Sequence, residues 1–206
     1  MSPVYRFGYI LFRFAGIAFF DHRVIHKERL VQDGPMLVAS NHVSFADPPM
    51  VGICYDDALY YLARKSLFVG PAKWFYEQWN SIPVDQENPD YSGLKNIIKL
   101  IKAGERVLIF PEGNRSPDGS LQRGEAGVGM VVAKAKCRVQ PVRIFGAHEA
   151  LRRGTCIPRP SRLRIVVGHP IEFSDEQLAN KGREAYQAIS DRIMDEIASL
   201  KLPDGM

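Results

Sequence analysis

The chain has 206 residues, enough for one domain with a full hydrophobic core or for a domain with a short appendage. Hydrophobic residues make up 46% and charged residues 24%, and no repeat or low-complexity segment is present, which excludes a disordered chain. The net charge of +4 suits an anionic membrane surface or substrate but is also common in soluble proteins, and the absence of nucleic-acid-binding motifs argues against nucleic acid.

The first predicted element is a helix in residues 4–20, which are apolar apart from two arginines. As a helix this segment would reach only about 25 Å, short of the ~30 Å hydrocarbon core of a bilayer. Helical spacing separates a narrow polar stripe from a wide apolar face: the stripe is Arg6, Tyr9, Arg13 and Gly16, and the face is Phe7, Ile10, Leu11, Phe14 and Ile17. The pattern predicts an amphipathic, membrane-associating helix at residues 1–20, with packing on the protein's own core as the alternative.

Residues 21–206 form the predicted second unit, in which strands and helices alternate. Short apolar runs predict buried strands at 36–40, 59–63, 107–110, 139–145 and 163–167. Helical spacing predicts helices at 48–55, 90–103 and 128–135, and Ser174 with Gln177 forms a capping box for a last helix that extends to residue 200. We therefore expect an α/β fold, a mostly parallel or mixed sheet flanked by helices, with its site where strands end.

The cysteines and most histidines lack the spacing of metal ligands. Cys54, Cys137 and Cys156 are far apart, which indicates a reduced, cytoplasmic compartment. Four histidines lie among basic or apolar neighbours and are interpreted as surface or core residues: His22, His26, His148 and His169. The sequence therefore predicts no metal site.

The first chemical motif, Asn-His-Val-Ser-Phe-Ala-Asp-Pro at 41–48, follows the strand predicted at 36–40. His42 and Asp47 are five residues apart, so they can meet only if the chain turns between them. A carboxylate bonded to one imidazole nitrogen fixes the tautomer and leaves the other nitrogen free to accept a proton. The pair is a candidate general base; the alternative is a surface histidine beside an Asp47 that caps the next helix.

The second motif, Phe-Pro-Glu-Gly-Asn-Arg-Ser at 110–116, follows the strand predicted at 107–110. Gly113 allows backbone amides to approach a ligand closely, and the planar guanidinium of Arg115 suits a phosphate. Glu112 can hold Arg115 or a ligand hydroxyl. The motif is a candidate phosphate site, and a loop with a surface ion pair is the alternative.

Together the two motifs resemble the glycerolipid acyltransferase family, which has an N-H-x-x-x-x-D block followed by F-P-E-G-[TN]-R-S. Weaker similarity at 61–67, 81–85 and 140–143 extends the resemblance from about residue 34 to about residue 143. The chain departs from the family pattern at Asn114, where threonine is more usual, and at Gln86, where arginine is frequent. Its hydrophobic N-terminal part is also shorter than in many relatives.

The resemblance implies that His42 is the general base and that Asp47 orients it. It also implies a set of acceptor-binding residues: Glu112, Gly113 and Arg115. Lys65 is a further candidate on the phosphate side, and a solvated surface lysine is the alternative. The implied reaction transfers a fatty acyl chain from acyl-CoA or acyl carrier protein to the free hydroxyl of 1-acyl-sn-glycerol-3-phosphate, giving phosphatidic acid in phospholipid biosynthesis.

No G-x-S-x-G elbow is present, so we expect direct transfer without an acyl-enzyme and without a cofactor. The expected location is the cytoplasmic face of the cell membrane, as a peripheral or monotopic protein. One alternative keeps the chemistry and changes the acceptor to another lysophospholipid, a lyso-aminolipid or a glycolipid hydroxyl. An acyl thioesterase is less favoured because Glu112 and Arg115 would have no evident purpose, and a non-catalytic membrane module would have no use for a His–Asp pair.

Overall fold

The computed structural model describes residues 1–84, 92–151, 155 and 157–203. The strands are β1 (Arg23–Ile25), β2 (Met36–Ser40), β3 (Tyr60–Arg64), β4 (Ser81–Val84), β5 (Arg106–Ile109), β6 (Arg138–Phe145) and β7 (Arg164–Val167). The helices are α1 (Pro3–Phe20), α2 (Asp47–Gly52), α3 (Gly70–Gln78), α4 (Ser92–Lys102), α5 (Ala126–Ala135), α6 (Ala147–Ala150), α7 (Asp175–Ala179) and α8 (Arg183–Ser199). Short 3-10 turns occupy Lys27–Arg29 and Lys65–Leu67.

Within the described residues the strands form one sheet in the order β1-β7-β6-β2-β5-β3-β4. Strands β6, β2, β5, β3 and β4 are parallel, whereas β7 pairs antiparallel with β6 and parallel with β1. The predicted α/β class with a mixed sheet flanked by helices is therefore confirmed. Because β2, β5 and β3 are parallel neighbours, the loops that follow these three strands meet at one edge of the sheet.

Side chains of β2 alternate between two hydrophobic clusters on opposite faces of the sheet. Met36 and Val38 pack with α1 and α2 on one face. Leu37 and Ala39 pack with α4, α5 and α8 on the other face. The central strand is therefore buried on both sides, which explains its uninterrupted apolar run.

Helix α1 begins after Ser2, whose side chain accepts a hydrogen bond from the amide of Tyr5. Tyr5 points into the core, where its hydroxyl bonds the hydroxyl of Tyr61 and accepts from the amide of Leu59. The outer side of α1 exposes six large apolar side chains: Phe7, Ile10, Leu11, Phe14, Ile17 and Phe19. None of the described helices is long and apolar enough to cross a membrane.

The structure differs from the predicted elements in three places. The helix predicted at 48–55 begins at Asp47 and ends at Gly52. The capping box of Ser174 and Gln177 is present, but it starts the short helix α7. The last predicted helix is interrupted there, since Asn180 is extended after α7 and Gly182, with a φ of 114°, precedes α8. Elements β1, α3, β4 and α6 were not predicted. The predicted positions 85, 86, 90 and 156 lie outside the described residues.

Candidate active site

His42 and Asp47 are brought together by the turn that follows β2. Nδ1 of His42 lies 2.8 Å from Oδ2 of Asp47, which is fully buried. The same carboxylate oxygen accepts hydrogen bonds from the amides of Val43 and Ser44, each at 2.7 Å. Because this oxygen acts as the acceptor for all its partners, Nδ1 of His42 donates, and Nε2 is the nitrogen that can accept a proton.

The alternative in which Asp47 caps the following helix is wrong. Asp47 is the first residue of α2, and Ala46 occupies the N-cap position without a side-chain hydrogen bond. The Asp47 side chain folds back over the preceding turn, where it binds two amides and the imidazole. The carboxylate therefore stabilises the turn and also orients the imidazole of His42.

Glu112 links the two motifs through the backbone of His42. Its carboxylate is 6% exposed, and Oε1 accepts from the His42 amide at 3.0 Å while Oε2 accepts from the Gln122 amide at 3.2 Å. The amide of Ser116, at the end of the second motif, donates to the carbonyl of His42 at 2.7 Å. The sequence indicated that Glu112 holds Arg115 or a ligand hydroxyl, whereas the structure shows both oxygens bound to backbone N–H groups.

Burial also affects the protonation of Glu112. Loss of solvent raises the pKa of this carboxyl to about 7, and the charge of Asp47 adds to the rise. The hydrogen bonds from the amides of His42 and Gln122 act in the opposite direction, since they stabilise the charged carboxylate. Glu112 therefore titrates near neutral pH beside the proposed base.

Phe110 is a contact of His42 that the sequence did not identify. Its ring stacks on the imidazole with a centroid distance of 3.9 Å and an interplanar angle of 15°. Its position in the second motif was a signal, but an apolar residue at the end of an apolar strand looks like any core residue. With Asp47 and Glu112, Phe110 fixes the ring and the backbone of His42.

Asn41, also not identified from the sequence, ties the end of β2 to β6. Its Nδ2 donates to the carbonyl of Ile144 at 3.1 Å, and its Oδ1 accepts from the Ile144 amide at 2.7 Å. The side chain thus replaces a pair of strand hydrogen bonds where β2 leaves the sheet. It anchors the residue immediately before His42.

Arg115 lies against the first motif. Its Cζ is 3.5 Å from the ring centroid of Phe45, a residue of the turn between His42 and Asp47 that is 56% exposed. Gly113 has a φ of 70°, which glycine adopts without strain, and its amide donates to the carbonyl of Phe110 at 3.0 Å. The turn therefore carries Arg115 back towards the loop of His42.

Lys65 is exposed in the 3-10 turn that directly follows β3. Since β3 pairs with β5, Lys65 lies at the same edge of the sheet as the two motifs, one strand beyond the second. All six residues predicted for the site therefore follow strands that end at one edge. The structure brings His42, Asp47 and Glu112 into a single hydrogen-bonded unit.

Residues 21–145 match the family model described as Acyltransferase. A 1-acyl-sn-glycerol-3-phosphate acyltransferase of Bacillus subtilis (strain 168) is 31% identical over 179 residues, 83% of this chain and 85% of that one. A chloroplastic 1-acyl-sn-glycerol-3-phosphate acyltransferase of Arabidopsis thaliana is 29% identical over 156 residues, 73% of this chain and 44% of that one. The crystal structure of PlsC, a 1-acyl-sn-glycerophosphate acyltransferase from Thermotoga maritima, shares the fold, with a TM-score of 0.71 and 23% identity over 98% of this chain and 81% of that one.

Proposed function

The chain belongs to the Acyltransferase family, and from this membership we propose that it is a 1-acyl-sn-glycerol-3-phosphate acyltransferase with His42 as its general base. The observation that supports the mechanism most directly is the 2.8 Å hydrogen bond between Nδ1 of His42 and the buried Oδ2 of Asp47. The bond holds the imidazole at the sheet edge that also carries the second motif. A base held in this way can take the proton of an acceptor hydroxyl as that hydroxyl attacks.

In the proposed step, Nε2 of His42 takes the proton of the acceptor hydroxyl as the hydroxyl oxygen attacks the thioester carbonyl. The new ester bond forms, the carbon–sulfur bond breaks, and the imidazolium returns the proton to the leaving thiolate. The carboxylate of Asp47 stabilises the imidazolium during this exchange. The acyl chain passes directly from thioester to acceptor, and the products are phosphatidate and a free thiol.

The acceptor's phosphate is proposed to bind at the turn of the second motif. The guanidinium of Arg115 can donate to two phosphate oxygens at once, and Gly113 allows the phosphate to approach the backbone. Lys65 supplies a further positive charge at the same sheet edge. Anchoring the phosphate places the hydroxyl beside His42, which lowers the entropic cost of the reaction.

We also propose that α1 lies in the membrane interface. Its exposed apolar residues would enter the boundary between head groups and acyl chains, whereas Tyr5 and Phe20 remain in the protein core. Arg6 and Arg13, both exposed, add attraction to anionic lipids. The protein would then sit on the cytoplasmic face of the cell membrane, where its acceptor is embedded.

Product analysis tests this function. The purified protein is incubated with lysophosphatidate vesicles and either acyl-CoA or acyl carrier protein, and the lipids are identified by mass spectrometry. We expect phosphatidate from at least one donor. Acylation of only another lysophospholipid or a lyso-aminolipid would replace the proposed acceptor, and free fatty acid as the sole product would identify a thioesterase.

A further inference from the structure

A basic groove lies between α4, α5 and the start of α8, with a volume of about 810 Å³. Five cationic side chains surround it: Lys95, Lys99, Lys102, Lys134 and Arg183. The other lining residues are largely apolar and uncharged: Ile98, Ala126, Gly127, Met130 and Tyr186. The described lining contains no carboxylate, and none of the five cations forms an ion pair within the described part of the chain.

The arrangement of these cations differs from an ordinary solvated helix surface. Lys95, Lys99 and Lys102 follow one side of α4 at helical spacing, where an exposed helix commonly alternates acids with bases. They span about 10 Å along the helix axis. Cations gathered around apolar residues create a positive potential that favours an anionic partner with an apolar face.

One end of the groove adjoins the proposed active site. Ala126 and Gly127 line that end, and they follow Glu125, whose amide donates to the carbonyl of Pro111 at 2.8 Å. A Cβ placed on Gly113 would lie 3.5 Å from Cγ of Glu125, so this residue also packs beside the turn of the second motif. A partner in the groove would therefore sit next to the loop that carries Arg115.

The groove and the exposed face of α1 belong to opposite sides of the molecule. Helices α4, α5 and α8 cover one face of the sheet, and α1 with α2 covers the other. If the exposed face of α1 lies on a bilayer, the surface of that bilayer cannot also contact the groove on the opposite side. The groove then faces water and is open to a soluble partner.

We propose that this groove docks an acidic, amphipathic helix of the acyl carrier protein that delivers the thioester, an inference that rests on the proposed function. Acidic side chains of the helix would pair with the cations at the rim, and its apolar side would cover Ile98 and Met130. The phosphates of CoA fit less well, because Lys95, Lys99 and Lys102 are spread over about 10 Å of α4, beside apolar residues.

Charge reversal in the groove tests the proposal. The double variant Lys95→Glu/Lys99→Glu is compared with wild type and with Lys201→Glu, an exposed lysine outside the groove. KM is measured for acyl carrier protein and for acyl-CoA, each with saturating lysophosphatidate vesicles. Binding of acyl carrier protein is measured separately by fluorescence anisotropy, and binding to vesicles by sedimentation.

We expect the double variant to raise KM for acyl carrier protein by roughly tenfold or more, because like charges now face each other. In the double variant, KM for acyl-CoA and vesicle binding should change by less than about twofold, since they do not involve these charge pairs. In the Lys201→Glu control, KM for acyl carrier protein should also change by less than about twofold. The anisotropy measurement should also show that the double variant binds acyl carrier protein more weakly than wild type does. High salt should weaken the binding of wild type in the same way, because it screens the charge pairs.

Equal rises in KM for both donors would overturn the proposal in favour of a site for CoA phosphates. A loss of vesicle binding would overturn it in favour of a lipid-facing surface, and unchanged carrier binding would overturn it outright. A wild type inactive with both donors would contradict the proposed function, and the anisotropy comparison would still decide whether the groove docks the carrier.

Discussion

The backbone amide of His42 donates a hydrogen bond of 3.0 Å to Oε1 of Glu112 and thereby joins the two motifs into one unit. His42 belongs to the loop after β2, and Glu112 belongs to the loop after its parallel neighbour β5. The bond, together with the one from the Ser116 amide to the His42 carbonyl, fixes the backbone of the proposed base from both sides. Glu112 therefore contacts the backbone of His42, and its role is to position the proposed base.

Glu112→Ala should therefore impair turnover more than acceptor binding. The substitution leaves the amides of His42 and Gln122 without their acceptor, at a cost of about 0.5–1.5 kcal/mol of stability for each of these partly buried hydrogen bonds. Misplacement of His42 should lower kcat by at least roughly tenfold, while KM for lysophosphatidate changes little. Kinetics and thermal unfolding measure both effects, with the exposed Glu149→Ala as control. An increase in KM alone, at unchanged Tm, would instead make Glu112 an acceptor ligand.

The titration of Glu112 predicts a pH-dependent stability. Its pKa is raised to about 7 in the folded protein, compared with 4.5 for a free side chain, so the folded state holds this proton more tightly. The stability that it contributes is present at low pH and is lost as the pH rises towards about 7. Glu112→Gln cannot titrate, so the stability of wild type relative to this variant should fall across that interval and then level off. Urea unfolding at several pH values measures the difference, and a constant value would refute the raised pKa.

Arg115→Ala should raise KM for lysophosphatidate and leave KM for the acyl donor nearly unchanged. A hydrogen bond to a charged group contributes about 1.5–3 kcal/mol, so kcat/KM should fall by roughly 10- to 200-fold. Arg115→Lys should restore activity only in part, because an ammonium keeps the charge and loses the planar fork. Separate titrations of the two substrates provide the measurement. A defect confined to the donor would move Arg115 to the thioester side of the site.

The membrane role of α1 is best tested by substitution, because Tyr5 and Phe20 belong to the core and deletion of the helix would disturb the fold. Phe7 and Phe14 are 71% and 67% exposed, so Phe7→Ser/Phe14→Ser should leave the fold intact. Removing two such side chains from lipid should weaken binding to anionic vesicles by at least about tenfold. Ile157→Ser, at a residue 80% exposed elsewhere in the chain, is the matched control. Unchanged sedimentation with vesicles would contradict the interfacial role.

Much of the fold was predictable because its signals are local. The apolar run at 36–40 follows Gly34-Pro35 and coincides with β2, and its parallel neighbour β5, buried along its whole length, produces the run at 107–110. Helix α3 was not predicted because it is only nine residues long and none of them is fully buried, so its inward-facing apolar pattern is weak. The interruption before α8 was missed because the apolar spacing continues through Gly182.

The sequence identified which residues form the site, but it did not identify most of the contacts between them. The spacing of His42 and Asp47 allowed them to pair only across a turn, the second motif supported that pairing, and the structure contains it. The partners of Glu112 were not predictable, because a carboxylate in a loop has the same sequence signature whether it binds a ligand or a backbone amide 70 residues away. The stacking of Phe110 on His42 likewise depends on the packing of two adjacent strands.

The central claim is that His42 is the base that activates the acceptor hydroxyl, and the turnover of a folded His42→Ala protein tests it most directly. Circular dichroism and the unfolding temperature establish that the variant is folded. Phosphatidate formation from lysophosphatidate and an acyl thioester is then measured against wild type. The account predicts a loss of at least ~10²-fold in kcat, the usual scale for a general base. A folded His42→Ala protein with near-normal turnover would contradict it.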